Sequence, residues 1–342
     1  GNFLFLAGSG SYTKLPRWKQ DRPVHDDFEY STDLFGSLAV AALQKHPTDK
    51  PFFLYLPWQA VHGPYDLPPS CSCVACTDVE RLYCMLRDSD GWLNQIVQVV
   101  KKRKMWNNTL LVFSADNGGV FAGNNFPLRG EKHTNFQGGM KAAAFVSGGL
   151  VPNRLRGTRS NLRIHIADWY STFASLAGQS AADKAPISPL KPDLNHPHKD
   201  VYQKNMSWPD VDGVNIWPIL TGQNMSRYDA HHELVLSDEV ILVGKYKLLL
   251  AQPDPKLVKG FPDNYGWKTK QGNWIQPAPS FKCGIAKDRI HFLPCLFDLE
   301  SDPREERDLS KSMPEKLSEM WTTLNVSTLT RYRSRSPREM LG

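Results

Sequence analysis

The sequence predicts an α/β fold with a smaller antiparallel sheet toward its C-terminal end. Three observations carry this. Short continuous apolar runs stand at Pro51-Phe-Phe-Leu-Tyr-Leu-Pro57 and Thr109-Leu-Leu-Val-Phe-Ser114, an amphipathic segment lies between them, and strand-like runs separated by turns cluster after residue 233. Runs of this length without polar alternation are the pattern of strands buried on both faces of a parallel sheet.

From Asp88 to Lys104 the apolar residues Trp92, Leu93, Ile96, Val97, Val99 and Val100 recur at helical spacing and end in a basic run, which suits a helix C-terminus. The second apolar run stops at Asp116-Asn-Gly-Gly119, so strand, helix and strand read as one parallel unit. Ala142–Ser147 gives a third strand, and Ile166–Ala177 a helix with Trp169, Phe173 and Leu176 on one side. Residues 178–210 have no apolar period and read as an exposed insertion loop. Val235–Val243, Lys245–Leu250 and His291–Leu299 suit the small antiparallel sheet, and Pro314–Leu324 a closing helix. The expected organisation is an α/β domain over 1–232, an antiparallel subdomain over 233–330 and a basic tail over 331–342.

At 342 residues with 41% hydrophobic and 11% aromatic content, the chain is neither disordered nor fibrous. Its net charge of +6 suits an anionic substrate but falls short of a nucleic-acid-binding footprint. The basic cluster Arg331–Arg338 reads as a solvated tail. No segment approaches the ~20 apolar residues of a membrane span, because Leu234–Leu250 is broken by Ser237-Asp-Glu239 and Lys245-Tyr-Lys247. The chain opens at Gly1 without a methionine or a signal pattern, as a processed product or a piece of something longer would.

Six cysteines fall into two groups, Cys71, Cys73, Cys76 and Cys84, and Cys283 with Cys295. Sequons stand at Asn107, Asn205, Asn224 and Asn325. Together they favour the secretory route, lysosomal or extracellular, with Cys283–Cys295 the first disulfide to draw. The first cluster reads as disulfides or packing thiols, with a structural zinc as the alternative.

In open parallel sheets, ligands bind where strands end at their carboxyl side. The first apolar run leads to His62, and the second leads directly to Asp116 and Asn117, whose oxygens are hard donors of the kind calcium or magnesium prefers. The same Asp-Asn-Gly-Gly could be a turn using residues tolerant of unusual backbone angles. Lys132, in a polar loop before Gln137-Gly-Gly139, could hold sulfate or phosphate.

As a set these residues resemble the type I sulfatases, of the arylsulfatase B-like kind. The likeness is carried by Phe53-Leu-Tyr-Leu-Pro-Trp-Gln-Ala-Val-His62, Trp106-Asn-Asn-Thr-Leu-Leu-Val-Phe-Ser-Ala-Asp-Asn-Gly-Gly119, Asn124-Asn-Phe-Pro-Leu-Arg-Gly-Glu-Lys132 and Leu296-Phe-Asp-Leu-Glu-Ser-Asp-Pro-Arg-Glu-Glu-Arg-Asp-Leu309, in that order. The resemblance implies an alkaline-phosphatase-like fold, with helices flanking a parallel-rich sheet, and hydrolysis of sulfate esters on a sulfated small molecule or glycan. It implies Asp116 and Asn117 as ligands of a divalent metal, usually Ca2+, Lys132 as the residue holding the sulfate, and His62 as the acid near the leaving-group oxygen.

The family's nucleophile is a cysteine converted to formylglycine within Cys-x-(Pro/Ala/Ser)-Ser-Arg, and none of the six cysteines has that context. Also absent are the paired aspartates of the family's first strand. Asp26-Asp27 is a poor substitute, because Arg22-Pro-Val-His25 before it is no apolar strand. The expectation is a fragment lacking the nucleophile and inactive alone. The rivals are a binding module for sulfated glycans, with Lys132 and Arg129 kept for the anion, and a metal-dependent phosphohydrolase of the same superfamily.

Overall fold

A computed structural model describes residues 2–5, 14–19, 22–182, 211–222, 230–251, 266–275 and 293–329. In chain order, β1 (Asn2–Phe5), β2 (Lys14–Lys19) and β3 (Arg22–Tyr30) precede helix α1 (Ser31–Lys45), β4 (Phe52–Tyr55) and the long helix α2 (Asp78–Lys102). Then come β5 (Leu111–Ser114), the single turn α3 (Gln137–Met140), β6 (Ala144–Ser147), α4 (Asp168–Leu176) and the single turn α5 (Trp217–Leu220). The C-terminal part carries β7 (Glu233–Ser237), β8 (Val240–Val243), β9 (Tyr246–Leu249), β10 (Trp267–Lys268), β11 (Trp274–Ile275), β12 (Cys295–Asp298) and α6 (Pro314–Leu329). No described helix is long and apolar enough to cross a membrane.

The chain forms two compact units. One comprises Gly1–Val151, Leu250–Pro294 and Leu299–Asp308, and the other Pro152–Leu249, Cys295–Asp298 and Leu309–Gly342. In the first unit α1 lies on α2, burying Leu34, Phe35, Ala39 and Leu43 against Ile96 and Val100. Gly36 is what lets the helices approach, because a Cβ there would lie 2.3 Å from the Trp92 ring. That indole donates to Asp33 Oδ1 at 2.6 Å.

α2 starts ten residues before the apolar spacing predicts. Thr77 and Glu80 form a capping box, with Glu80 N–H donating to Thr77 Oγ1 at 3.3 Å and Thr77 N–H to Glu80 Oε2 at 2.8 Å. Just before it, the first cysteine cluster closes as disulfides Cys71–Cys84 and Cys73–Cys76 rather than as a zinc site.

β4 pairs parallel with β1, in register from Asn2↔Phe52 to Phe5↔Tyr55. It is not buried on both faces as expected. Phe52 and Leu54 face the α1–α2 core, and the period of two turns Phe53 and Tyr55 outward, 42% and 50% exposed. The predicted strand–helix–strand parallel unit is also corrected. β5 pairs antiparallel with β6, Leu111↔Ser147 to Ser114↔Ala144, and among the described residues no ladder joins β4 to β5. A strand's partner is fixed by distant segments, which spacing along the chain does not report. Asp26 and Asp27 do lie on a strand, β3, paired with β2 despite its polar composition.

In the second unit, one antiparallel sheet of order β12–β9–β8–β7 matches the predicted small sheet, with Val235–Val243 folding as a hairpin rather than one strand. β8 and β12 are buried at every position, and α6, five residues longer than predicted, buries Met320 and Leu324. α4 buries its polar side. Asp168 accepts from His165 N–H at 2.7 Å, Val214 N–H at 3.0 Å and His231 Nε2 at 2.8 Å, while Trp169 and Phe173 stack half-buried at 5.6 Å. Cys295 is buried and disulfide-bonded. Cys283, residues 183–210 of the expected insertion loop, and the tail lie outside the described residues.

Candidate functional site

β5 delivers the chain to Asp116 and Asn117. Ala115 N–H still donates to Ala143 O at 2.9 Å, continuing the β5–β6 ladder, and the turn begins after it. Asp116 is exposed and Asn117 half-buried. The Asn117 amide donates to Gly118 O at 3.0 Å, which leaves its Oδ1 as an acceptor. Two hard oxygen donors thus stand side by side at a strand end.

The glycines that follow serve close approach. Gly118 is absent from the positive-φ residues, but a Cβ on it would meet Gly138 O at 1.6 Å, and one on Gly138 would meet Gly130 O at 2.2 Å. Two loops therefore lie backbone to backbone. Gly118 N–H donates to Gly139 O at 2.9 Å and Lys132 N–H to Gly119 O at 3.2 Å. Asn125 bridges them, its Oδ1 accepting from Gly119 N–H at 2.8 Å while its amide donates to Gly119 O at 2.9 Å and Gly130 O at 3.2 Å. This interlock brings Lys132 beside the Asp116–Asn117 turn.

Lys132 is half-buried. Burial and the neighbouring Lys132 charge hold the His133 ring below its usual pKa. Three residues before Lys132, Arg129 is 1% exposed. It donates to Glu305 O at 2.9 Å and lies 3.9 Å over the Phe136 ring, and burial pulls its guanidinium down to about 10. Arg129 is thus a buried tie to residues 302–305, not the anion-binding partner that the sequence suggested. Glu305 also accepts from Gln137 N–H at 2.7 Å.

His62 is exposed, in a turn closed by its own N–H to Gln59 O at 2.8 Å. Its Nδ1 lies 2.7 Å from Gly63 O. A carbonyl only accepts, so Nδ1 carries the proton and Nε2 is left for other chemistry. Three residues on, the Tyr65 phenol meets the Ala122 backbone N–H, and burial raises its pKa, with Asp78 and Glu131 adding to the rise. The His62 loop therefore abuts the loop that follows Asp116–Asn117.

Among the described residues no group of three or more His, Cys, Asp or Glu could hold a metal ion. Asp116 and Asn117 fit two positions of an oxygen-rich site, not a complete sphere. Of the sequons, Asn107 and Asn325 are exposed, and Asn205 and Asn224 lie outside the described residues. Sequence reasoning missed Asn125, Tyr65, Glu305 and Lys268, which build the loops. Asn125 and Glu305 lie inside the motifs that carry the resemblance, but nothing local marks Tyr65 and Lys268.

The sequence model of the Sulfatase family matches residues 3–179. Arylsulfatase J of Mus musculus is 29% identical over 375 residues, covering 98% of this chain and 58% of that protein. N-acetylgalactosamine-6-sulfatase of Homo sapiens is 26% identical over 211 residues, covering 57% and 34%. The crystal structure of Ps i-CgsB matches with a TM-score of 0.58 at 24% identity over 89% of this chain and 56% of that one. BT4656, in complex with D-glucosamine-2-N,6-O-disulfate, matches at 0.51 with 12% identity over 88% and 70%. At such identities the solved structures establish the fold, which is α/β. The chain spans about half the length of the curated relatives it matches.

Proposed function

The chain belongs to the sulfatase family, and from that premise we propose that its site binds the charged end of a sulfate ester and serves ester hydrolysis. The carrying observation is the interlock that sets Lys132 against the Asp116–Asn117 turn through Gly119. Lys132 offers a compact positive charge to the ester anion. Asp116 and Asn117 would hold a divalent cation, which the family resemblance makes Ca2+, and that ion when bound would polarise the sulfate oxygens. His62, oriented by its Nδ1–H to Gly63, would act as the imidazolium, giving its Nε2 proton to the departing alcohol oxygen and remaining as the neutral Nδ1–H ring.

None of the cysteines fits a formylglycine precursor. Four form the disulfides Cys71–Cys84 and Cys73–Cys76, Cys295 is disulfide-bonded, and no Cys-x-x-Ser-Arg context occurs. The chain as it stands is therefore proposed to bind sulfate esters without turning them over. The disulfides support a secretory setting, lysosomal or extracellular, and the ligand class is a sulfated small molecule or glycan. A titration with an aryl sulfate tests the reading. Lys132→Ala should weaken binding about tenfold or more, and Asp116→Ala should abolish any Ca2+ enhancement. Unchanged affinity in both variants would overturn it, as turnover by the isolated chain would overturn the assigned inactivity.

A further inference from the structure

We infer that Lys268 is a positioning residue, on a hairpin that straps together the loop following Asp116–Asn117 and the loop of Lys132. The inference rests on the reading of those three residues given above.

A lysine ammonium is buried only where acceptors replace its water. Lys268 is 7% exposed, and its Nζ donates to Phe121 O at 2.8 Å and Gly123 O at 2.7 Å. It pairs with Glu131 Oε2 at 3.4 Å, over the Trp274 ring at 4.9 Å. The two carbonyls belong to the loop directly after the Asp116–Gly119 turn, and Glu131 adjoins Lys132. Every one of these acceptors lies on a site loop.

Two further stitches run in parallel. Gly130 N–H donates to Gly266 O at 2.8 Å, and the Asn124 amide to Thr269 O at 2.9 Å. Two ammonium donors meeting two carbonyls, with the Glu131 carboxylate in ion-pair range, fix the loops more tightly than an apolar side chain of that size could. The same charge also offsets the Glu131 carboxylate, whose negative field would otherwise oppose an anion at Lys132.

The test compares the wild-type chain, Lys268→Met and Lys268→Arg by amide hydrogen exchange and by titration with inorganic sulfate. Lys268→Met should speed exchange of the 118–132 amides about tenfold while α1 keeps its wild-type rates, and should weaken sulfate binding about fivefold. Lys268→Arg should restore both to within about twofold of wild type. Exchange unchanged in 118–132, exchange raised equally in α1, or an Arg variant no better than Met would each overturn the inference. Should Lys268→Met not fold, Asn124→Ala carries the same test with an exchange increase of about threefold. A wild type that binds no sulfate would sink the reading of Lys132, and the exchange pattern would still decide the strap.

Discussion

Replacing Gly118 with alanine should drive the Asp116–Asn117 turn away from the Lys132 loop. The added methyl would sit 1.6 Å from Gly138 O, where ordinary contact begins at 3.4 Å, so the backbones must part by about 1.8 Å (3.4 − 1.6). The Gly118 N–H to Gly139 O bond, 2.9 Å long, would break, and with it the Gly119 N–H to Asn125 Oδ1 and Lys132 N–H to Gly119 O bonds. Three hydrogen bonds at about 1 kcal/mol each amount to about 3 kcal/mol, or roughly 6–12 °C in melting temperature for a unit of 150–250 residues. Circular dichroism melts and sulfate titrations read the two effects. Gly157→Ala is the control, because its φ of +73° is strained for alanine but nothing lies within 4 Å, so it should cost about 1 kcal/mol and spare sulfate binding. A Gly118→Ala chain that melts within about 2 °C of wild type and binds sulfate equally would refute the close-approach argument.

Gly36→Ala should destabilise by about 1–3 kcal/mol in urea, because its methyl meets the Trp92 ring. Gly91→Ala, in the interior of α2 with nothing within 4 Å, should instead stabilise by about 0.5–1 kcal/mol. Burial, and then the Asp88 charge, push the Tyr30 hydroxyl up to about 12. The folded chain thus keeps that proton while an unfolded tyrosine loses it near 10, so stability should hold below pH 10 and fall by up to about 2 kcal/mol toward pH 12. Tyr30→Phe should flatten that slope in alkaline denaturation. Changing Cys71 and Cys84 together to serine removes a 13-residue link and should lower unfolding free energy by about 3 kcal/mol, without altering sulfate affinity.

The legible parts of the fold are those whose signal is local. Ile96 and Val100 declared the core face of α2, but in its first turns Met85 is buried while Tyr83 and Leu86 are 63% and 47% exposed, so apolar residues there do not single out one face. Only the Thr77–Glu80 pair marked its start. Asp116, Asn117, Lys132 and His62 were recognisable because they sit in motifs. Lys268 was not, because it is one lysine in a polar stretch and its carbonyl partners are 147 and 145 residues away. Arg129 looked like an anion ligand because sequence records its charge and not the Phe136 ring and Glu305 carbonyl that enclose it. β5 looked like a parallel strand because its apolar run is silent about β6.

Phe113 and Phe145 face each other across β5 and β6, stacked at 5.1 Å, and are 37% and 46% exposed. Such a greasy, flat tile on a two-stranded ribbon invites self-association in concentrated solution. Preparations should therefore scatter more light as they are concentrated, and mild non-ionic detergent or a charged residue in place of Phe145 should keep them clear.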